Sequence, residues 1–296
     1  MQNTEQTQQS TRHSLAKIDK SKYTKQEWHQ IRERRRKEKQ AKKLLESTKI
    51  ANQPLVTDSN KNYVVCLKHG SKYGANYVNT LYSMVKRNLT LPFEFVCFTE
   101  DPRDLDPEIR VEELPNINSA HGWWYKMSMF NPNLPLKGNL LFIDLDVIIF
   151  KNIDKLFTYE PGKFCIIRDF NRSLRKDWKK FNSSVFRLRT GQFPNVWRDF
   201  TENSQNMIAR YHGDQDVIYH YISQMPTSFL FWPDEWIQSY KWEMRDRKKL
   251  VRYKDGTRNF SQSEDPTIKQ QTSIAVFHGQ PFPHDCIDQW CKDNWK

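Results

Sequence analysis

The segment Leu140–Phe150, LLFIDLDVIIF, decides how the whole sequence is interpreted. Nine of its eleven residues are hydrophobic, which predicts a buried strand, yet Asp144 and Asp146 are set into it. An unpaired charge in such a place costs several kcal/mol. Side chains at i and i+2 of a strand face the same side, so both carboxylates are expected to project together at the strand's open end. There they would form an oxygen site for Mg²⁺ or Mn²⁺, whose charge compensates theirs; the alternative is a strand end with capping or ion-paired aspartates.

The segments around this stretch alternate between strand and helix patterns, which predicts an α/β fold with a mixed sheet, parallel in its first half. The predicted strands are YVVCL (63–67), FEFVCFT (93–99), FCIIRD (164–169), the half-buried SVFRLR (184–189), SFLFWP (228–233) and SIAVFHG (273–279). The predicted helices are GANYVNTLYSMVKRN (74–88), WWYKMSMFNP (123–132), NIDKLF (152–157) and GDQDVIYHYIS (213–223). Residues 239–272 are charged and lack a clear period, so we expect a long loop or insertion there.

Charge divides the chain into two parts. The net charge is +12, and residues 1–60 carry 14 Lys and Arg against 7 Asp and Glu, or +7. Residues 23–48 are rich in helix formers, with Thr24 and Glu27 spaced as a capping box. We therefore predict a disordered and basic helical extension with a linker over residues 1–60, and a globular domain over residues 61–296. A solvated helix is the simplest interpretation of residues 23–48, and contact with nucleic acid or an anionic membrane surface is the alternative.

Several classes of site are disfavoured by what the sequence lacks. It contains no GxxxxGK[ST] phosphate loop, no apolar run long enough to cross a bilayer and no apolar leader at its polar start. Three of the five cysteines lie in apolar runs, which predicts buried free thiols. Cys286 and Cys291 lack the second pair that a four-cysteine zinc site needs. We expect a cytoplasmic protein that is peripheral to a membrane if the basic helix binds one.

Two enzyme classes place D-x-D after an apolar strand. In phosphatases of the haloacid-dehalogenase type the motif follows the first strand of the domain and continues to Thr or Val, whereas this chain has Ile148 there and α/β pattern before it. In nucleotide-sugar glycosyltransferases of the GT-A type the pair holds the metal that bridges the donor's diphosphate. The second class fits better, and the phosphatase remains the enzymatic alternative.

The neighbouring motifs favour the glycosyltransferases. Residues 123–157, from WWYKMSMF through the D-x-D to NIDKLF, resemble the centre of the family 8 glycosyltransferases, such as glycogenin and the bacterial lipopolysaccharide glycosyltransferases. Further segments resemble the family's other motifs in the same order, over about residues 62–285. They are LKHGSKYGANYVNTLYSM (67–84), FNSSVFRLR (181–189), HGDQDVIYHYIS (212–223) and VFHGQPFP (276–283). The resemblance implies a GT-A-type, Rossmann-like fold that binds nucleoside diphosphate sugars.

The resemblance also implies roles for individual residues. The metal ligands would be Asp144, Asp146 and His278, holding Mn²⁺ or Mg²⁺. The residues at the transferred sugar, which carry catalysis, would be Asp214, Gln215 and Asn182. The residues that bind the donor would be Lys126, Tyr73, Leu67, His69 and Gly279. Simpler structural roles stay open for some of them, such as a helix N-cap for Asp214 and a core position for Tyr73.

Three departures mark a divergent member of that family. Phe282 stands where the family has a lysine that holds the diphosphate, so we expect His284 or a lysine elsewhere to replace it. Ser184 and Asp216 each stand where the family has glycine.

The expected activity is metal-dependent transfer of a hexose from a nucleoside diphosphate sugar, with UDP-sugars preferred, to a hydroxyl of a glycan or other acceptor. Retention of anomeric configuration is implied by the resemblance alone. We expect the acceptor to lie against residues 239–272. The alternatives are a phosphatase that uses Asp144 and Asp146, and a nucleic-acid-binding protein that acts through residues 23–48.

Overall fold

The computed structural model describes residues 24, 26–27, 29–30, 33–34, 36–37, 61–225 and 227–296. At the N-terminal part, the Thr24 backbone N–H donates to Glu27 Oε2 at 2.8 Å and the Glu27 N–H donates to Thr24 Oγ1 at 3.3 Å. This reciprocal pair is the predicted capping box, and the described residues that follow it up to residue 37 are helical. The rest of the predicted basic helix and the linker lie outside the described residues.

Residues 61–296 are built on a seven-stranded mixed sheet with strand order β3-β2-β1-β4-β7-β6-β8. The half from β3 to β4 is parallel, β7 is antiparallel to both β4 and β6, and β8 is parallel to β6. The parallel first half was predicted and is confirmed. The strands are β1 (Asn62–Lys68), β2 (Glu94–Thr99), β3 (Arg110–Glu112), β4 (Asn139–Ile143), β6 (Phe164–Arg168), β7 (Phe181–Arg189) and β8 (Phe229–Phe231).

Smaller elements complete the domain. A three-stranded sheet has the order β5-β12-β9, and β10 pairs with β11 as a hairpin. These strands are β5 (Val147–Ile149), β9 (Ile237–Ser239), β10 (Leu250–Arg252), β11 (Arg258–Phe260) and β12 (Ile274–Val276). The α-helices are α1 (Ala75–Asn88), α2 (Lys155–Thr158), α3 (Pro194–Arg210), α4 (Asp214–Ile222) and α5 (Gln289–Asn294). Short 3-10 helices span Gly122–Phe130, Phe170–Ser173, Arg247–Lys249 and Pro283–Asp285, and a π-helical turn spans Tyr240–Met244.

Both faces of the main sheet are covered at its centre, which explains why its central strands are nearly continuous hydrophobic runs. Val64 of β1 and Leu141 of β4 belong to one core cluster, whereas their neighbours Val65 and Leu140 belong to the other. Successive side chains of a strand point to opposite faces, so each cluster fills one side of the sheet. For the same reason β7 is buried along almost its whole length, and the prediction that it is half-buried was wrong.

The segment Leu140–Phe150 is not one strand. Strand β4 ends at Ile143 in the main sheet, and the chain then forms β5 in the small sheet, antiparallel to β12. The Asp144 N–H still donates to the Ser184 carbonyl at 2.8 Å, but the Asp146 carbonyl accepts from Phe277 N–H at 3.0 Å. The chain therefore changes its partner strand within this bend, so the expectation of a continuous third strand was wrong. The two aspartates do lie at the carboxyl end of β4, beside the edge where ligands bind in open α/β sheets.

Residues 239–272 are more ordered than a long loop, since they include the π-helical turn and the β10–β11 hairpin. Cys66, Cys97 and Cys165 are buried free thiols, as predicted. Cys286 and Cys291 form a disulfide, a pairing that the sequence interpretation did not include. Within the described ranges, every helix is too short or too polar to span a bilayer.

Candidate active site

A cavity of about 500 Å³ opens beside the ends of β1 and β4. Its walls come from the β1–α1 loop, the Gly122–Phe130 helix, the bend after β4, β7, the start of α4 and the turn after β12. All eleven residues assigned above to the metal, the donor or catalysis line this one cavity: Leu67, His69, Tyr73, Lys126, Asp144, Asp146, Asn182, Asp214, Gln215, His278 and Gly279. The fold thus brings the predicted set together, and the individual roles stay predictions.

Lys126 is the cation at the centre of this cavity. Its side chain is buried, and Nζ lies 2.9 Å from an Asp144 carboxylate oxygen, 3.3 Å from Ser183 Oγ and 3.9 Å from Asp214 Oδ2. Burial disfavours the charged amine, but the two carboxylates outweigh burial and raise the pKa of Lys126. Lys126 therefore stays charged and ties the D-x-D bend to the start of α4.

The carboxylates of the cavity outnumber this lysine. Burial, opposed by Lys126 and reinforced by the negative charge of Asp146, raises the pKa of Asp144 to about 6. Asp146 Oδ2 accepts hydrogen bonds from Tyr73 Oη and Gly279 N–H, each at 3.1 Å. Asp214 Oδ2 is buried and accepts no hydrogen bond from the described residues. Crowded, buried and incompletely paired carboxylate oxygens are a donor set that suits a divalent cation such as Mn²⁺ or Mg²⁺.

The imidazole of His278 is oriented by its neighbours. The ring stacks on Phe170 with centroids 5.3 Å apart, and Nε2 shares a hydrogen bond of 2.6 Å with Ser239 Oγ. Burial, helped by the positive charge of Lys241, lowers the pKa of His278 to about 3. The ring is therefore neutral at physiological pH, which is the protonation state that ligates metals. Its backbone has a positive φ of 38°, which is uncommon for a residue with a side chain.

The ligand atoms of the predicted metal trio do not converge on one point. Among the described side chains, the group with potential ligand atoms all within 4.8 Å of one another is Cys286, Asp288 and Cys291, rather than the predicted trio. In that group the sulfurs form the disulfide and Asp288 pairs with buried Arg245, so it is not open to an ion. At the cavity, Asp144 and Asp146 are the carboxylates that a cation could use, whereas Nε2 of His278 is hydrogen-bonded to Ser239.

Among the cavity residues that the sequence interpretation missed, Lys72, Trp123 and His212 matter for the ligand. Lys72 is exposed on the β1–α1 loop, with Nζ 4.7 Å from the ring centre of Tyr73 and 5.4 Å from that of Phe282. Lys72 Nζ therefore lies over Phe282, the position at which the family 8 glycosyltransferases have the lysine that holds the diphosphate. Of the expected replacements, His284 instead shares a hydrogen bond with Tyr77 and does not line the cavity. Trp123 is the second missed residue, and its indole is 49% exposed at the cavity.

Ser184 and Asp216, which stand where the family 8 glycosyltransferases have glycine, contribute little to the cavity wall. Ser184 lines the cavity, and its backbone N–H donates to Asn182 Oδ1 at 3.1 Å. The side chain of Asn182, predicted to be catalytic, therefore also makes a local hydrogen bond within β7. Asp216 lies in the first turn of α4 and does not line the cavity. Acidic residues in a first helical turn are favoured by the helix dipole, which accounts for Asp216 without a role at the ligand.

Comparisons with known proteins establish the fold. The chain matches no protein-family model and no curated protein by sequence. It is similar in structure to the galactosyltransferase LgtC in complex with donor and acceptor sugar analogues, with 11% identity over 78% of this chain and 93% of that chain and a TM-score of 0.54. An active-site mutant of LgtC gives 12% identity, the same coverages and a TM-score of 0.53. The glycosyltransferase GlyE of Streptococcus pneumoniae TIGR4 gives 11% identity over 75% of this chain and 56% of that chain, with a TM-score of 0.51. The chain therefore has the mixed α/β fold of GT-A glycosyltransferases, as the sequence predicted.

Proposed function

We propose that this protein is a glycosyltransferase related to family 8, which moves a hexose from a UDP-sugar to an acceptor hydroxyl with retention of configuration. The observation that carries the proposal is the cluster of Asp144, Asp146 and Asp214 around Lys126, inside a cavity at the strand ends of a GT-A fold. Buried Lys126 and Lys241 compensate these three carboxylates only in part, and the remaining negative charge is one that a divalent cation would neutralise. A nucleoside diphosphate bound through such a cation is the ligand chemistry that this arrangement supports best.

The residues can be given distinct tasks. Asp144 and Asp146 would hold Mn²⁺ or Mg²⁺, with His278 as the third ligand; the cation would neutralise the charge that develops on the departing diphosphate. Tyr73 and Gly279 both donate to Asp146 and so keep that carboxylate in place. Lys72, which is exposed and lacks a carboxylate partner among the described residues, would contact the phosphates from the β1–α1 side.

The transferred sugar would lie at the other side of Lys126, near the start of α4. Asp214 Oδ2 is free of hydrogen bonds from the described residues, so its charge is available to the anomeric carbon. It can stabilise positive charge there, or attack from the face opposite the leaving group, and either role is compatible with retention. Gln215 and Asn182 line the same wall and would orient the sugar hydroxyls.

The other sequence alternatives have less support. The phosphatase needs its D-x-D after the first strand of the domain, whereas Asp144 and Asp146 follow β4 in a sheet of GT-A type. Binding of nucleic acid or an anionic membrane through residues 23–48 stays a separate prediction about the N-terminal part. The cytoplasmic location stays a separate prediction from the sequence; the Cys286–Cys291 disulfide is of a kind more common in oxidising compartments.

The test is release of nucleoside diphosphate from a panel of UDP-, GDP- and dTDP-sugars with Mn²⁺ and with EDTA. The proposal predicts Mn²⁺-dependent hydrolysis of at least one UDP-sugar, lost in Asp144→Asn/Asp146→Asn. Asp265→Asn is the matched control, because Asp265 is exposed and outside the cavity. Hydrolysis that persists in the double variant, or no hydrolysis of any donor, would contradict the proposal.

A further inference from the structure

Trp123 is exposed although its neighbour is among the most buried residues of the domain. Trp124 is 2% exposed and stacks on Phe200 with centroids 5.9 Å apart, whereas Trp123 is 49% exposed. The turn at Gly122, with a φ of 52°, begins the helix that carries both tryptophans and Lys126. Trp124 thus anchors the segment in the core, and the same anchor holds Trp123 at the cavity. An exposed indole in a cavity wall offers its aromatic face to a ligand.

The position of Trp123 within the cavity is defined by the start of α4. A Cβ atom placed on Gly213 would lie 3.4 Å from Trp123 Nε1 and 3.8 Å from Cδ1. The indole edge therefore lies against the backbone just before Asp214 and Gln215, on the side assigned above to the transferred sugar. Tyr73 and Lys72, assigned to the nucleotide, belong to a different wall, the β1–α1 loop.

Polar groups available to a ligand lie in the same cavity as this indole. No described ring stacks on Trp123, and no described residue accepts a hydrogen bond from its Nε1, whereas Trp178 Nε1 donates to Asp169 at 2.9 Å. The side chains of His212 and Gln215 line the cavity and make no hydrogen bond to described residues. An open aromatic face is thus combined with donors and acceptors that a ligand can satisfy.

We propose that Trp123 and His212 form the acceptor subsite, beside the transferred sugar at Gln215, and that its ligand is a saccharide whose pyranose ring stacks on the indole. A pyranose presents an apolar C–H face to the aromatic ring and hydroxyl groups around its edge, which match the indole face and the polar side chains beside it.

The proposal rests on the glycosyltransferase function. In the transfer, an acceptor hydroxyl forms a bond to the anomeric carbon, the bond from that carbon to the diphosphate breaks, and the hydroxyl proton leaves with the diphosphate or solvent.

The test uses the UDP-sugar that the protein hydrolyses, together with a panel of methyl glycosides and short oligosaccharides as acceptors. In the wild type, at least one saccharide should accelerate UDP release and appear as a larger saccharide in mass spectrometry. Trp123→Ala should raise the half-saturating concentration of that saccharide roughly tenfold, equivalent to about 1.4 kcal/mol, with a smaller effect on the maximum rate. Trp123→Phe should recover more of the affinity than Trp123→Leu, because it retains a planar face.

Tyr253→Ala is the matched control, since Tyr253 is a 46% exposed aromatic outside the cavity, and it should leave the saccharide's half-saturating concentration unchanged. Donor hydrolysis that no saccharide stimulates would overturn the subsite and leave the proposed function standing. A Trp123→Ala effect on the affinity for UDP instead of the saccharide would assign the indole to the nucleotide and also overturn it. If Trp123→Ala and the wild type have the same affinity for the saccharide, the proposed acceptor subsite is also overturned.

Discussion

Replacement of Lys126 by methionine should destabilise the metal-free protein strongly. Methionine keeps most of the apolar stem but removes the ammonium group that lies 2.9 Å from Asp144 and 3.9 Å from Asp214. Removing one partner of a buried ion pair typically costs about 3–5 kcal/mol, because the other charge stays buried without compensation. The lower end applies here, since the Asp144 side chain is 22% exposed and water screens part of its charge. A loss of about 3 kcal/mol corresponds to a fall in Tm of roughly 6–12 °C for a domain of this size.

The charge argument also predicts what Mn²⁺ should do to this variant. Because the cation would supply the missing positive charge, the Mn²⁺-induced rise in Tm should be larger in Lys126→Met than in the wild type. Calorimetric melting with EDTA and with Mn²⁺ measures both values. Lys254→Met, at an exposed lysine on the β10–β11 turn, is the control and should melt like the wild type. An unchanged Tm of Lys126→Met in EDTA would refute the claim that the carboxylates depend on this lysine.

Three further substitutions test other contacts. Tyr73→Phe removes the hydrogen bond to Asp146 and should lower the free energy of unfolding of the metal-free protein by about 1.5 kcal/mol in urea titrations; an unchanged midpoint would contradict the bond. Lys72→Ala should raise KM for the UDP-sugar about tenfold, with a smaller change in kcat, because it removes a contact to phosphates; an effect on kcat alone would exclude that role. Cys286→Ser/Cys291→Ser opens a short loop and should cost about 2 kcal/mol in thermal melts, and reduction of the wild type should give the same loss. A wild type whose stability does not respond to reductant would show that the disulfide is not formed in solution.

Much of the fold could be predicted from hydrophobic pattern. The central strands of the main sheet are covered on both faces, so they give apolar runs that are recognisable without tertiary information, whereas the edge strand β3, with the sequence RVE, was not predicted. The break inside Leu140–Phe150 could not be predicted in that way, because both halves are apolar and only the change of partner from β7 to β12 separates them. The hairpin within residues 239–272 was missed because its strands have three residues each, too few to show a period.

The residues that line the candidate cavity could be named from the sequence motifs, and their roles stay predictions, but their contacts could not be foreseen. Lys126 was found from its motif, whereas its bridging position between Asp144 and Asp214 depends on how α4 meets the D-x-D bend. Likewise, nothing in the local sequence around His278 indicates that Ser239 holds its Nε2.

Two adjacent residues of identical type set another limit to sequence interpretation. Trp123 and Trp124 differ only in that the second stacks on Phe200, a contact set by the packing of α3 against the Gly122–Phe130 helix. The exposure that leads to the proposed acceptor subsite was therefore invisible in the sequence. The acceptor was first expected against residues 239–272, and the structure gives a more specific hypothesis at Trp123.

The most direct measurement of the central claim is calorimetric titration of UDP into the wild-type protein with Mn²⁺ and, separately, with EDTA. A metal-dependent nucleotide-sugar site predicts saturable binding of UDP with Mn²⁺, at least tenfold weaker binding in EDTA, and loss of the metal effect in Asp144→Asn/Asp146→Asn. Equal binding of UDP in Mn²⁺ and EDTA, or no binding in either, would contradict the account.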